Sequence, residues 1–203
     1  MSQIVHPTKA RLIETTVELM DTKLPSEIAV DEILEKSGIS KGSLYHHFED
    51  LTELLEAAQV SRYAQWVDRS VKMLTDLITS AKTIEEFRAG LMQVTTYTQS
   101  PEYKKTRYER ARTIASSENS PRFERALAQE QDRLTDALED LIHEAQAKKL
   151  WRGDVDPRAA AVFVQAYTLG KIVDDFAPNP MDAQKWNELI TTILDRAFFY
   201  LID

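Results

Sequence analysis

The 203-residue sequence predicts an all-α protein of about nine helices. Apolar residues recur at three- and four-residue steps along nearly the whole chain, the period of a helix with one buried face. Strand-like alternation is almost absent, and only five glycines and seven prolines interrupt the pattern. A hydrophobic fraction of 43% supports a packed core rather than disorder.

The elements follow from their start and stop signals. Thr8 is placed to cap a first helix, with Ile13, Val17 and Met20 on one face and Leu12 and Leu19 beside them. Lys23-Leu24-Pro25-Ser26 breaks it. A short second helix runs from about Val30 to Ser37, striped by Val30, Ile33 and Leu34, and Gly38 follows where a helix needs a left-handed residue to stop. Ser40 caps a third short helix, Lys41 to about His47, and a long fourth begins near Leu51. Further helices cover about Thr83–Thr98, Glu102–Ala115 and Pro121–Lys149. Pro157, at a first helical position where its missing N–H costs nothing, opens another that reaches about Asp175. Pro178-Asn179-Pro180 breaks the chain, and a last helix spans about Asp182–Leu201. The one domain boundary the pattern offers lies near the fourth helix, dividing residues 1–50 from 51–203.

Chemistry concentrates between Glu32 and Phe48. Two helices of about two turns flank a tight turn at Gly38, with Ile33, Ile39 and Leu44 placed to pack the helices on each other. That is a helix-turn-helix, whose second helix lies in the major groove of duplex DNA. The outer side of that helix offers Lys41, Ser43, Tyr45 and His46, all able to bond phosphates or base edges. Gly42 allows close backbone approach, and the N–H groups of Ser40, Lys41 and Gly42 suit a phosphate at a helix start. His46 is read as facing phosphate and His47 as packed inward. Adjacent helical residues point about 100° apart, so the two do not share a metal.

The run Gly38-Ile39-Ser40-Lys41-Gly42-Ser43-Leu44-Tyr45-His46-His47-Phe48, within the segment Thr8 to about Leu55, resembles the DNA-binding domain of the tetracycline-repressor (TetR/AcrR) family. Lys9 and Thr52 join the DNA-facing set with Ser40, Lys41, Gly42, Ser43, Tyr45 and His46. The resemblance implies a homodimer, three DNA-binding helices in residues 1–50, and about six helices in 51–203 forming an effector pocket and a dimer interface. It therefore implies a transcriptional regulator, a repressor released from its operator by a small molecule. Four features depart from the family's habit: Ala29 where a hydroxyl residue often caps, Asp31 where a base often stands, Leu34 for a usual Ala, and Asp50-Leu51-Thr52-Glu53 where a Lys commonly opens the fourth helix.

Charge runs against a nucleic-acid binder. The chain has a formal net charge of −8, and residues 1–56 hold five bases against eleven acids, a net of −6. Few phosphate-neutralising bases imply a shallow salt dependence. A second reading is therefore a helical adaptor whose main partner is another protein. Catalysis finds no support. A di-iron bundle needs paired Glu-x-x-His motifs, and none of His6, His46, His47 or His143 follows a Glu at that spacing. There is no glycine-rich phosphate loop and no nucleophile motif. With no cysteines, disulfides and thiolate metal sites are excluded, and neither a cofactor nor a metal is expected. No apolar run is long enough to span a membrane, and the N-terminus lacks a basic segment followed by an apolar one. A cytoplasmic location is expected.

Residues 101–125 reverse the charge balance, with seven bases against four acids. Lys104, Lys105, Arg107, Arg110 and Arg112 form either a solvated face or a site for an anionic group. Arg107 leads the second reading: turned inward it needs an internal acid or an anionic effector as partner. The aromatics Trp66, Tyr97, Tyr103, Tyr108, Phe163 and Tyr167 are each either core or, collectively with Arg107, the lining of a pocket for a partly apolar effector. The last two long helices carry apolar residues on more than one face, including Phe163, Gly170, Leu189, Ile193 and Ala197. A monomer would leave part of that surface exposed, whereas a twofold four-helix interface would bury it.

Overall fold

The computed structural model describes residues 6–199. The described residues form helices joined by turns and contain no strand. In order they form α1 (Pro7–Leu19), a 3₁₀ turn (Pro25–Glu27), α2 (Val30–Ser37), α3 (Lys41–His47), α4 (Leu51–Ser80), α5 (Ile84–Gln99), α6 (Lys104–Ser117), α7 (Pro121–Ala147), α8 (Pro157–Gly170), α9 (Ile172–Asp175) and α10 (Ala183–Phe198).

Most predicted boundaries hold to within two residues, and the exceptions have local causes. Helix α1 starts ahead of Thr8: the His6 ring nitrogen Nδ1 accepts from the Thr8 N–H at 3.2 Å, and Pro7 occupies the first helical position. The helix thus borrows an imidazole cap, and Thr8 lies inside the first turn. It also stops at Leu19, before the Lys23–Ser26 break. The helix opened by Pro157 was expected to reach Asp175. It is interrupted at Gly170–Lys171, where glycine holds helical backbone least firmly, and resumes as the single turn α9. Counted as the continuation of α8, that turn leaves nine helices among the described residues. The last helix, expected to reach Leu201, ends at Phe198, because Phe199 turns to extended backbone; Leu201 itself lies outside the described residues.

The chain divides into two compact units. The first comprises residues up to Trp66 together with Asn119–Glu130, and the second comprises Val67–Glu118 with Gln131 onward. In the first unit Leu12, Met20, Ile28, Ile33, Leu44, Phe48, Leu54 and Ala58 form a continuous apolar core. Leu12, Ile33, Leu44, Leu54 and Ala58 have no exposed surface. Arg122 adds an ion pair to this unit, its Nε and a terminal nitrogen donating to Glu56 Oε2 at 2.9 and 2.8 Å.

In the second unit the packed positions follow the helical period: Leu134, Leu138, Leu141, Ile142 and Ala145 on α7, Phe87 and Leu91 on α5, and Ile190, Leu194 and Phe198 on α10. Caps fix the helix starts. Thr83 Oγ1 accepts from Glu86 N–H at 3.2 Å, Asp156 Oδ1 from Ala159 N–H at 2.7 Å, and Asp182 Oδ1 from Lys185 N–H at 3.0 Å. Helix α7 ends in a left-handed stop on a non-glycine residue, Lys149 at φ 59°. There Lys149 N–H donates to Gln146 C=O at 2.9 Å and Leu150 N–H to Ala145 C=O at 2.8 Å, the paired bonds of a Schellman motif. This stop turns Leu150 and Trp151 into the interior, both about 5% exposed.

Candidate functional site

Helix α2 stops because Gly38 takes a left-handed conformation, φ 70°, and returns its N–H to Leu34 C=O at 3.0 Å. Ser40 then caps α3, its Oγ accepting from Ser43 N–H at 3.2 Å. Ile33 and Leu44, fully buried, with half-buried Ile39 between them, lock the two helices together. The seven residues of α3 are thereby split cleanly. Leu44 points into the core while Lys41, Gly42, Tyr45 and His46 are exposed, Tyr45 to 45%. A Cβ added at Gly42 would meet nothing within 4 Å, so the space beside this turn is open to an approaching partner.

The remaining predicted DNA-facing residues are spread around this helix. Ser43 is half-buried, its hydroxyl 3.0 Å from that of Ser40. Thr52 is exposed on the first turn of α4. Lys9, half-buried on α1, holds its ammonium 5.0 Å from the centre of the Phe48 ring. His46 is exposed, and His47, expected to pack inward, is half-buried between His6 and His46, with ring centres 4.7 and 5.1 Å away. Desolvation holds the His47 pKa below its ordinary value, and the neighbouring positive charge of His6, His46 and Lys9 depresses it further. Among the described residues no group of three carboxylates or imidazoles could hold a metal, and no helix is long and apolar enough to cross a membrane.

The second unit presents two interior features. One is a buried charged cluster. Arg107 has no exposed surface, and its guanidinium makes four hydrogen bonds. It donates to the two carboxylate oxygens of Asp175 at 2.5 and 2.9 Å, to Thr98 C=O at 2.6 Å and to Ser100 C=O at 3.1 Å. Lys171, 5% exposed, pairs with Asp174 and lies 3.6 Å from Asp175, while Lys104 donates to Asp175 C=O at 2.7 Å. Of the five clustered bases, Arg107 and Arg110 are buried and Lys104, Lys105 and Arg112 exposed, so neither reading of that stretch covers all five. An anionic effector group is not needed to balance Arg107, because Asp175 already does so.

The other feature is a cavity of about 40 Å³ between α4, α5, α7 and α8, lined by Leu74, Leu77, Phe87, Leu91, Leu141 and Trp151 among other apolar side chains. None of the seven residues predicted to bind an effector lines it. Trp66 falls in the first unit, in ring contact with Tyr63 at 5.3 Å. Tyr97, 57% exposed, borders a shallow open groove with Met92, Gln93, Thr96, Ser100 and Glu102, and packs edge-on against Tyr103 at 5.2 Å. Tyr108 lies under Lys104 at 5.7 Å. Tyr167 shares a 3.2 Å hydrogen bond with Thr95, and burial raises the pKa of its phenol.

Phe163 is 37% exposed and contacts both Tyr167 and Phe198. Val162 on α8 and Leu189 and Ile193 on α10 are further exposed apolar side chains, at 52%, 50% and 37%. Gly170 is exposed at the end of α8 with open space around it, and Ala197 is half-buried.

Sequence reasoning singled out neither Asp175 nor Lys171 as partners of the basic helix, and it passed over Trp151 and Phe87. For Trp151 a signal existed: a lone indole after Leu150 in an otherwise polar inter-helix turn.

A capped, exposed polar helix braced on a buried apolar helix pair is the arrangement of a helix-turn-helix. Residues 12–58 match the model of the family described as bacterial regulatory proteins, tetR family. The likeness to that family is thus confined in sequence to the helix-turn-helix segment, and the described residues as a whole share an all-helical fold with a solved structure of a TetR-family regulator. A 55-residue stretch is 33% identical to the HTH-type transcriptional regulator SrpR of Pseudomonas putida, covering 27% of this chain and 26% of SrpR. Two solved structures are similar over nearly the full length. The reduced form of Escherichia coli NemR shares 14% identity over 97% of this chain and all of that one, with a TM-score of 0.65. GusR of Salmonella enterica shares 18% over 96% of each chain, also with a TM-score of 0.65. At these identities the likeness is one of fold.

Proposed function

We propose that this chain is a dimeric, effector-controlled transcriptional repressor acting on duplex DNA in the cytoplasm. The observation that carries the reading is α3. It is a seven-residue helix, capped by Ser40 and anchored by Leu44, whose exposed side is Lys41, Gly42, Tyr45 and His46. A helix this short adds little to a core, and its outward chemistry suits phosphates and base edges. Lys9, Ser40, Ser43 and Thr52 complete the proposed contact set.

Assembly follows from the apolar surface of α8 and α10. A second copy laid on Val162, Phe163, Leu189 and Ile193 about a twofold axis, with Gly170 and Ala197 allowing close approach, would remove that surface from water. Two reading helices would then address half-sites about one helical turn apart, roughly 34–36 Å. The second unit would hold the effector, which need favour a non-binding arrangement by only about 1–3 kcal/mol to change occupancy.

Selection of bound sequences from random duplexes, read with purified protein, tests this. The expected product is a motif with twofold symmetry. The acidic balance of residues 1–56 favours the adaptor reading, and enrichment of no sequence would decide for it.

A further inference from the structure

Residues 1–56 carry a net charge of −6, an unfavourable balance for a unit that meets a polyanion. Two of their five bases are already paired: Lys23 bonds Glu32, and Lys36 lies 3.2 Å from Glu18. Three of the chain's four histidines, His6, His46 and His47, stand in the same stretch. An imidazole ordinarily changes charge between pH 5 and 8, so these three are a reserve of positive charge that the formal count omits.

The fold gathers all three where the start of α1 meets the end of α3. The His47 ring centre lies 4.7 Å from that of His6 and 5.1 Å from that of His46. Lys9 joins them from α1, its ammonium 5.0 Å from the ring of Phe48, the residue after His47. His6 and His46 are exposed and His47 is half-buried. The charges that act most strongly on His47 are those of His6, His46 and Lys9, all positive. The acids that follow α3 are engaged at the start of α4 or exposed. Asp50 Oδ1 accepts from Glu53 N–H and Glu53 Oε2 from Glu49 N–H, both at 2.7 Å, and the Glu49 side chain is exposed. Desolvation and like charge therefore make His47 a weaker base in the free chain than an ordinary imidazole. A phosphate seated beside it reverses the sign of the nearest charge.

We propose that His6, His46 and His47 form a site for a DNA backbone phosphate at the edge of α3, and that this site takes up a proton when DNA binds. The proposal rests on reading α3 as the DNA-reading helix and adds a proton-linked contact beside it. His6 uses Nδ1 to accept from Thr8 N–H, so its ring proton sits on Nε2 and donates to an anion without titration. The proton taken up therefore belongs to His46 and His47, which titrate as a coupled pair. A phosphate favours the charged form, so affinity for DNA rises as pH falls through the bound-state pKa and is lowest where the imidazoles are neutral. The free chain responds in the opposite sense, because charging His47 without an anion is unfavourable.

Anisotropy titration of the full chain with the selected duplex, at fixed salt and at pH 8 and pH 6, tests this. Affinity is expected to rise about fivefold or more on acidification, where one pKa unit gained by a single imidazole allows about tenfold. His143→Gln, on α7 in the second unit, should leave that response unchanged. Replacing His6, His46 and His47 together by Gln should reduce it to less than about twofold. Calorimetry in two buffers of different ionisation enthalpy needs no variant: at pH 6.5 about half a proton per protomer should be taken up on binding. Phosphates carry no sequence, so a duplex without the selected motif should show the same relative response. The proposal is overturned if no proton is taken up, if the response survives the triple variant, or if it is confined to the selected sequence, which would place the proton at a base. Selective binding with equal affinity at both pH values overturns it and leaves α3 as the reading helix; binding of no duplex at either pH overturns both.

Discussion

The two units arrange polarity in opposite ways. In the first, the interior is apolar and the exposed side of α3 is polar. Among its described residues Thr15, Thr16 and Glu56 are the buried polar side chains, and Glu56 is paired with Arg122. The second buries Arg107, Lys171 and Asp175 while leaving Val162, Val173, Phe176, Leu189 and Ile193 exposed, Phe176 to 80%. The first arrangement is that of a finished domain whose working surface meets something polar. The second leaves apolar side chains exposed that the proposed dimer would cover, and its interior is organised by directional charge pairs. Buried pairs of this kind are weak evidence for stability, but removing one partner leaves an uncompensated charge.

That contrast sets the order of expected effects. Asp175→Ala strands Arg107 and should destabilise the chain by about 3–5 kcal/mol, measured by urea denaturation. Replacing both partners, as Arg107→Met with Asp175→Leu, should cost markedly less. If the single and double variants lose equally, the pair is packing rather than charge compensation, and the contrast between the units weakens.

Ile193→Asp places a charge on the exposed apolar surface of α10. Light scattering should show loss of the dimer, and operator affinity should fall by about 10²-fold or more, because the two half-site contacts are no longer linked. A variant that remains dimeric and binds normally would place the interface elsewhere.

The smallest effect concerns His47. Its folded-state pKa is depressed, chiefly by desolvation and then by His6, His46 and Lys9, so the unfolded chain binds the proton more readily. The stability associated with neutral His47 is present above its unfolded pKa of about 6.5 and is lost as pH falls through the lower folded value. Melting temperature should therefore drop between pH 7.5 and 5, and less so in His47→Gln. An equal drop in the variant would assign the acid sensitivity to other groups.

The same contrast explains what the sequence disclosed. The helix-turn-helix was legible because its determinants are local: Gly38 for the left-handed stop, Ser40 for the cap, Ile33 and Leu44 for the contact, all within a dozen residues. The imidazole cap of α1 was not, because it depends on a side chain taking a role more often filled by hydroxyl or carboxylate groups. In the second unit helix positions were readable from period and prolines, but partners were not. Arg107 and Asp175 stand 68 residues apart, and the periodicity around Arg107 could say only that an inward cation needs an acid. The cavity is farther still from sequence pattern. It is a residue of imperfect packing among four helices, and no single helix encodes it.

The central claim is that α3 reads DNA, and one titration addresses it most directly. Fluorescence anisotropy of the selected duplex with wild-type protein, Lys41→Ala and Tyr45→Phe should show each variant weakened by about 0.5–3 kcal/mol, with the helical signal by circular dichroism unchanged. Wild-type affinity in both variants would contradict the claim and remove α3 as the reading element.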